Sequence, residues 1–126
     1  MARNLKVYRC AICGNIVTFL HEGGGELVCC GEPMKLLSAG EDDTAAKEKH
    51  VPVAKLEDGK LRVDVGDVWH PMIDKHYIEF VILVTGTGVF IEFLKPGEDP
   101  VAWFAAPDTD DYEVYEYCNL HGLWKA

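Results

Sequence analysis

The clearest periodic signal in the chain lies at residues 60–65, KLRVDV, where Leu61, Val63 and Val65 alternate with Arg62 and Asp64. A period of two belongs to a strand with one face in a core and the other in water. The preceding run VPVAKLE carries a similar pattern and is separated from it by Asp58-Gly59, a dipeptide that favours a tight hairpin turn. Further on, YIEFVILVT and VFIEFL are rich in β-branched and aromatic residues and are joined by Gly-Thr-Gly. VAWFAA and YEVYEY complete about six strands. The pattern predicts an all-β domain from about residue 48 onward, a small sandwich.

The first 37 residues follow no such pattern. They are short, contain a glycine run at 23–25, and hold Cys10, Cys13, Cys29 and Cys30. Pieces under roughly 40 residues seldom fold on apolar burial alone, and four thiolates around one metal would staple this one. The spacing is C-x2-C followed, fifteen residues later, by adjacent cysteines, a strong signal for tetrahedral sulfur ligation. Sulfur ligands suit zinc, closed and inert, and equally an iron serving electron transfer. Residues 38–47, SAGEDDTAAK, are small and charged and are expected to form a linker between the two domains, 1–37 and 48–126.

The chain has 126 residues, of which 48% are hydrophobic, enough to build a core. Its net charge of −9 argues against nucleic-acid and anionic-membrane partners, which require a cationic surface. No apolar stretch is long enough to span a bilayer and no secretory leader is apparent, so a cytoplasmic location is expected. In that reducing setting the five cysteines are metal ligands in waiting; a bridge between neighbouring Cys29 and Cys30 would in addition be strained.

A second cluster emerges when the histidines are placed on the predicted strands. His50 precedes the first strand, His70 and His76 lie between the second and third, and Cys118 and His121 follow the sixth. If successive strands reverse direction, all five fall at one end of the sandwich. Taken singly, each is more often a solvated or packed side chain than a ligand. Together, four imidazoles and a thiolate exceed the four-coordinate demand of zinc and fit an iron with one position open. Lys47, Lys49, Lys75 and Lys125 neighbour these residues and would ring the site with positive charge. With a screening length of about 8 Å at physiological salt, they would outweigh distant carboxylates for a small anion. His21 is expected at the surface. Trp69, Trp103 and Trp124 are expected to pack, with Trp69, next to His70, placed to shield the metal. Glu57, Glu79 and Glu92 are expected to face solvent. No phosphate-binding loop, dinucleotide fingerprint or serine elbow is present.

The strings YRCAICGN, CCGEPM, EKHVPV, HPMIDKH, FLKPG and CNLHGLWKA, spread over nearly the whole chain, resemble desulfoferrodoxin, the two-iron form of superoxide reductase. The resemblance implies a desulforedoxin-like first domain with iron on Cys10, Cys13, Cys29 and Cys30. It implies an immunoglobulin-like second domain with iron on His50, His70, His76 and His121 as equatorial ligands and Cys118 as the axial one. It further implies one-electron reduction of superoxide to hydrogen peroxide, a homodimer, and rubredoxin or a similar small carrier as electron donor. Within the family's E-K-H motif, Lys49 is implied to attract superoxide and position a water for proton delivery, and Glu48 to reach the open position of the oxidised iron. Relatives without the first iron site remain active, so that site is expected to be dispensable for the chemistry. Two other classes remain open on the residues alone: a rubredoxin-like electron carrier without substrate chemistry, and a zinc-stapled binding module.

Overall fold

The computed structural model describes residues 4–41, 43 and 47–126. The chain forms two compact units, Asn4–Leu37 and Ser38–Ala126. Of the expected linker, residues 42 and 44–46 lie outside the described residues, while Ser38–Glu41 and Asp43 fall in the second unit.

The first unit is built of short strands: β1 (Val7–Arg9), β2 (Ile16–Thr18), β3 (Val28–Cys29), β4 (Glu32–Pro33) and β5 (Lys35–Leu36). β1 is central, antiparallel to β2 and β5, and β3 pairs with β4. The β3–β4 turn places both Cys30 (φ 54°) and Gly31 (φ 78°) in the left-handed region, the requirement of a two-residue hairpin whose twist matches its strands. That turn is what brings the adjacent cysteines out of line with each other. Among the described residues, only Val7 and Cys10 of this unit are buried. Apolar packing is therefore too thin to account for the fold.

The second unit starts with a single helical turn, α1 (Lys47–His50), and continues as a sandwich. One sheet has the order β10-β7-β6, with β6 (Pro52–Glu57), β7 (Lys60–Val65) and β10 (Val101–Ala105). The other has the order β12-β11-β8-β9, with β8 (Ile78–Val84), β9 (Val89–Phe93), β11 (Glu113–Cys118) and β12 (Gly122–Lys125). All pairings are antiparallel. The six expected strands are present, and β12 is a seventh: its GLWK follows so closely on Cys118 and His121 that it looks like part of their loop. Leu61, Val63 and Val65 are fully buried, as their alternation requires, and pack with Val81, Leu83, Val114 and Cys118 in the core. Asp58 and Gly59 form the expected β6–β7 turn, both with positive φ.

The register establishes the direction of each strand. β7 ends at Val65, beside the start of β6; β11 ends at Cys118, paired with Ile78 at the start of β8; and β12 leaves again from Gly122. The strands therefore alternate, and the His50, His70–His76 and Cys118–His121 segments emerge at one end. A bulge between Tyr117 and Cys118 shifts the register there, so that both Cys118 and Ile78 turn into the core.

Candidate metal centres

In the first unit the sulfur atoms of Cys10, Cys13, Cys29 and Cys30 all lie within 4.8 Å of one another. Cys13 and Cys29 are 3.6 Å apart, and Cys29 and Cys30 are 4.0 Å apart. A tetrahedral ion with metal–sulfur bonds of about 2.3 Å requires sulfurs roughly 3.8 Å apart, so the four donors fit. The first turn explains how: Gly14, in the left-handed region, closes a loop back to the Cys10 carbonyl, and the amides of Ile12 and Cys13 point at the Cys10 sulfur. Those amides bring its thiol down to about 6, while Cys30 is pushed up to about 12 by hydrogen bonding to its sulfur neighbours. The Cys10 thiolate is thus stabilised, while Cys29 and Cys30, both raised by hydrogen bonding to neighbouring sulfurs, hold their protons until a cation replaces them.

At the end of the sandwich, four imidazoles form a closed figure. Ring centroids are 4.6 Å apart for His50 and His70, 4.5 Å for His70 and His76, 5.1 Å for His76 and His121, and 5.1 Å for His121 and His50. Each ring meets the next edge-on, at 61° to 84°. A metal–nitrogen bond of about 2.1 Å sets a ring centroid roughly 3.2 Å from an ion, and four rings in a square then stand about 4.6 Å apart. The donor atoms of His50, His70, His76 and Cys118 lie within 4.8 Å of one another, with Cys118 Sγ 3.4 Å from His70 Nε2. His121 closes the square from slightly further out. Among the described residues, His76 Nε2 is buried without a hydrogen-bond partner, an orphan that a metal ion would satisfy. Four donors within 4.8 Å of one another, with the His121 ring completing the square beside them, suit iron.

The electrostatics tell the same story. Burial, reinforced by the neighbouring imidazoles, lowers His50 to about 4; burial does the same to His70, against the opposing pull of its hydrogen bond to the Pro71 carbonyl, 2.7 Å. His76 is lowered too, first by burial. Neutral imidazole is the ligating form. Burial pushes the Cys118 thiol up to about 11, although the amides of Leu120 and His121 pull the other way. This sulfur gives up its proton to a cation, not to water.

Several residues around the square were not singled out by the sequence. Glu116 is fully buried, and its Oε1 is 3.5 Å from His50 Nδ1. Burial holds its carboxyl well above the usual range. A signal existed: a strand that turns Val114 and Cys118 inward must do the same with Glu116. Asp43, in the stretch expected to be linker, contacts His121 Nδ1 at 3.0 Å, and no pattern marked it. Asn119 accepts from the Tyr77 amide and donates to the Lys75 carbonyl, so that one side chain straddles His76. Gly66, at φ +89°, sits where an added Cβ would lie 2.5 Å from the Val68 carbonyl oxygen and 2.7 Å from the Lys49 backbone. Only glycine lets the His70 loop approach α1 this closely.

Other expectations fare unevenly. Glu48, Lys49 and Lys75 are exposed at the metal end, and the Lys49 charge contributes to lowering His70 and His76. Lys125 does not join them: β12 carries it away from the site, and its ammonium pairs with Glu113 at 3.1 Å. His21 is exposed, as are Glu57 and Glu92, while Glu79 is half-buried. Trp69 is half-exposed and its indole donates to Asp64; the tryptophan that lies on an imidazole is Trp124, 4.8 Å from His50.

Comparison with known proteins places both units. Residues 2–37 match the family model "Desulfoferrodoxin, N-terminal domain", and residues 42–126 match the model "Desulfoferrodoxin". The chain is 52% identical to the desulfoferrodoxin of Nitratidesulfovibrio vulgaris, covering 100% of this chain and 98% of that one. The first unit is 59% identical over 34 residues to the desulforedoxin of Megalodesulfovibrio gigas, which covers 27% of this chain and 92% of that protein. Among solved structures, the superoxide reductase from Treponema pallidum superposes with a TM-score of 0.76 at 35% identity, over 98% of this chain and 99% of that one. With each metal cluster inside a matched domain and the likeness running from end to end, the chain belongs to the desulfoferrodoxin family.

Proposed function

We propose that this protein is a superoxide reductase, catalysing the addition of one electron and two protons to superoxide to give hydrogen peroxide. The observation that carries the reading is the closed square of four imidazoles with a buried thiol beside it: five donors, one short of six. His50, His70, His76, His121 and Cys118 hold the catalytic iron, and Cys10, Cys13, Cys29 and Cys30 hold the second. A ferrous ion held by these residues would supply the electron, and donation from the Cys118 thiolate would favour release of the product. Lys49 would draw the anion to that end of an acidic protein and position the water that delivers a proton, and Glu48, one residue away, would be the carboxylate that meets the oxidised ion after product leaves. The likeness to the Treponema pallidum superoxide reductase along nearly the full chain supports this reading.

Residues 1–37 serve as an electron-holding module and 48–126 as the catalytic one, in the cytoplasm, with a rubredoxin-type carrier as donor. We assign a homodimer: Ile12 and Val28, 60% and 56% exposed on the small first unit, are apolar surface of the sort that a second copy covers.

The test is rapid anaerobic mixing of the reduced protein with superoxide. One peroxide per superoxide, with no dioxygen evolved, is the expected outcome. Dioxygen in half-molar yield would make the protein a dismutase, and slow, unproductive oxidation would make it an electron carrier.

A further inference from the structure

Trp124 is the largest of the fully buried side chains, and its surroundings go beyond filling space. Its indole lies nearly parallel to the His50 ring, at 14° and 4.8 Å, whereas every contact between the imidazoles is edge-on. Its Nε1–H donates to the His121 carbonyl at 3.0 Å. One side chain thus touches two neighbouring corners of the square, one through a ring face and the other through the main chain.

The scaffold holds the indole in turn. Trp124 on β12 is the cross-strand partner of Glu116 on β11, so both project from the same face of the sheet. His50 is met on its Nδ1 edge by Glu116 and on its flat face by Trp124. Gly40, at φ +75°, lies against the indole, its hypothetical Cβ 3.6 Å from Cε3, and its amide donates to the Leu123 carbonyl at 2.8 Å. His50 comes from a helical turn of four residues and His121 from a tight loop. Neither element is long enough to fix a ring by itself. Metal affinity depends on ring direction, because the donor lone pair lies in the imidazole plane.

We propose that Trp124 is a positioning residue for the metal centre, setting the plane of the His50 imidazole and the main-chain position of His121. The proposal rests on the five donors forming one iron site, and it adds to that reading a residue outside the donor set.

The experiment compares the full chain with Trp124→Phe, which keeps an aromatic face and loses the N–H, and with Trp124→Leu, which loses both. Ferrous iron is titrated anaerobically against a competing chelator, and electron paramagnetic resonance of the oxidised protein separates the two ferric centres. The four-cysteine centre in the same chain is the internal control. Iron retention at the histidine site is expected to fall about threefold in Trp124→Phe and about 10- to 100-fold in Trp124→Leu, with the resonance of that site altered and the four-cysteine signal unchanged. If Trp124→Leu does not fold, Trp124→Phe decides by its resonance and iron retention. A variant that melts earlier but keeps wild-type iron retention and an unchanged resonance reduces Trp124 to packing and overturns the proposal. A wild-type chain that takes up a single iron would instead overturn the two-site reading beneath it.

Discussion

In residues 4–37 the donors come from two turns, with Cys10 and Cys29 only 19 positions apart, and almost nothing else in the unit is buried. In residues 38–126 His70 and Cys118 are 48 positions apart, and a full sandwich core lies beneath them. One unit is made by its metal; the other is a fold that happens to bring ligands to one end. The difference separates two roles a metal can have, as part of the folding free energy or as a passenger on a scaffold that stands without it.

The largest effect that could break this contrast is metal removal. Anaerobic chelation of the full chain is expected to unfold residues 4–37 and to leave the sandwich intact. Amide resonances of the first unit should collapse toward random-coil positions, while the fluorescence of Trp69, Trp103 and Trp124, all in the second unit, keeps its folded spectrum. Persistence of dispersed resonances for Val7–Arg9 after chelation would erase the distinction.

The stripped sandwich should then show what its empty ligands cost. His50 and His70 are lowered to about 4 from 6.5, so between these values the unfolded chain binds more protons than the folded one. Their contribution is fully present above about pH 6.5 and is lost as pH falls toward about 4, on the order of 3 kcal/mol for each imidazole. Glu116 acts with the opposite sign: its raised folded value makes stability present below 4.5 and lost as pH rises. Two imidazoles outweigh one carboxyl, so urea titrations of the chelated protein should reach maximal stability near pH 6.5. Glu116→Gln should flatten the alkaline side and steepen the rise between pH 4.5 and 6.5, where the carboxyl opposes the two imidazoles.

Gly66→Ala sharpens the comparison from within the second unit. A Cβ there meets backbone at 2.5–2.7 Å on a left-handed φ, so the His70 loop and α1 must separate. A loss of about 2–4 kcal/mol is expected in thermal or urea melts. Iron should leave the histidine site and remain at the four-cysteine site, as read by metal analysis and by the two ferric signals.

The two units were also unequally legible. The four-cysteine site could be read directly, because its ligands are close in sequence and their spacing is itself the geometry. The histidine site could be read only through the alternation of the strands, which worked because the β6–β7 hairpin and the core pattern of Leu61, Val63 and Val65 set the direction from which the rest followed. What escaped is what alternation does not encode. Asp43 sits in a stretch without period. Trp124 packs as expected, but its strand is too short to show that it packs on His50, and Lys125 seemed close to His121 only because sequence distance ignores that β12 runs away from the site. Gly66 carries no side chain to argue from.

The smallest effect concerns a single charge. Lys49 is exposed, yet it contributes to lowering both His70 and His76, so its field reaches the donors. A unit charge at roughly 6 Å, at an effective dielectric near 40, is worth about 1.4 kcal/mol, or about tenfold in the local concentration of a small anion. Lys49→Ala should slow the bimolecular reaction with superoxide by about that factor at low salt and by less at about 0.15 M, where the screening length is ~8 Å. Lys49→Arg should retain most of the rate, since encounter requires charge and not a particular donor geometry. The same loss should appear in a Lys49→Ala, Cys13→Ser double variant if the first unit has no part in capturing the anion. If the rate is insensitive to salt in the parent chain, or if Lys49→Arg falls as far as Lys49→Ala, then the ammonium acts through a specific hydrogen bond and the acidic surface of the protein is not being locally overridden.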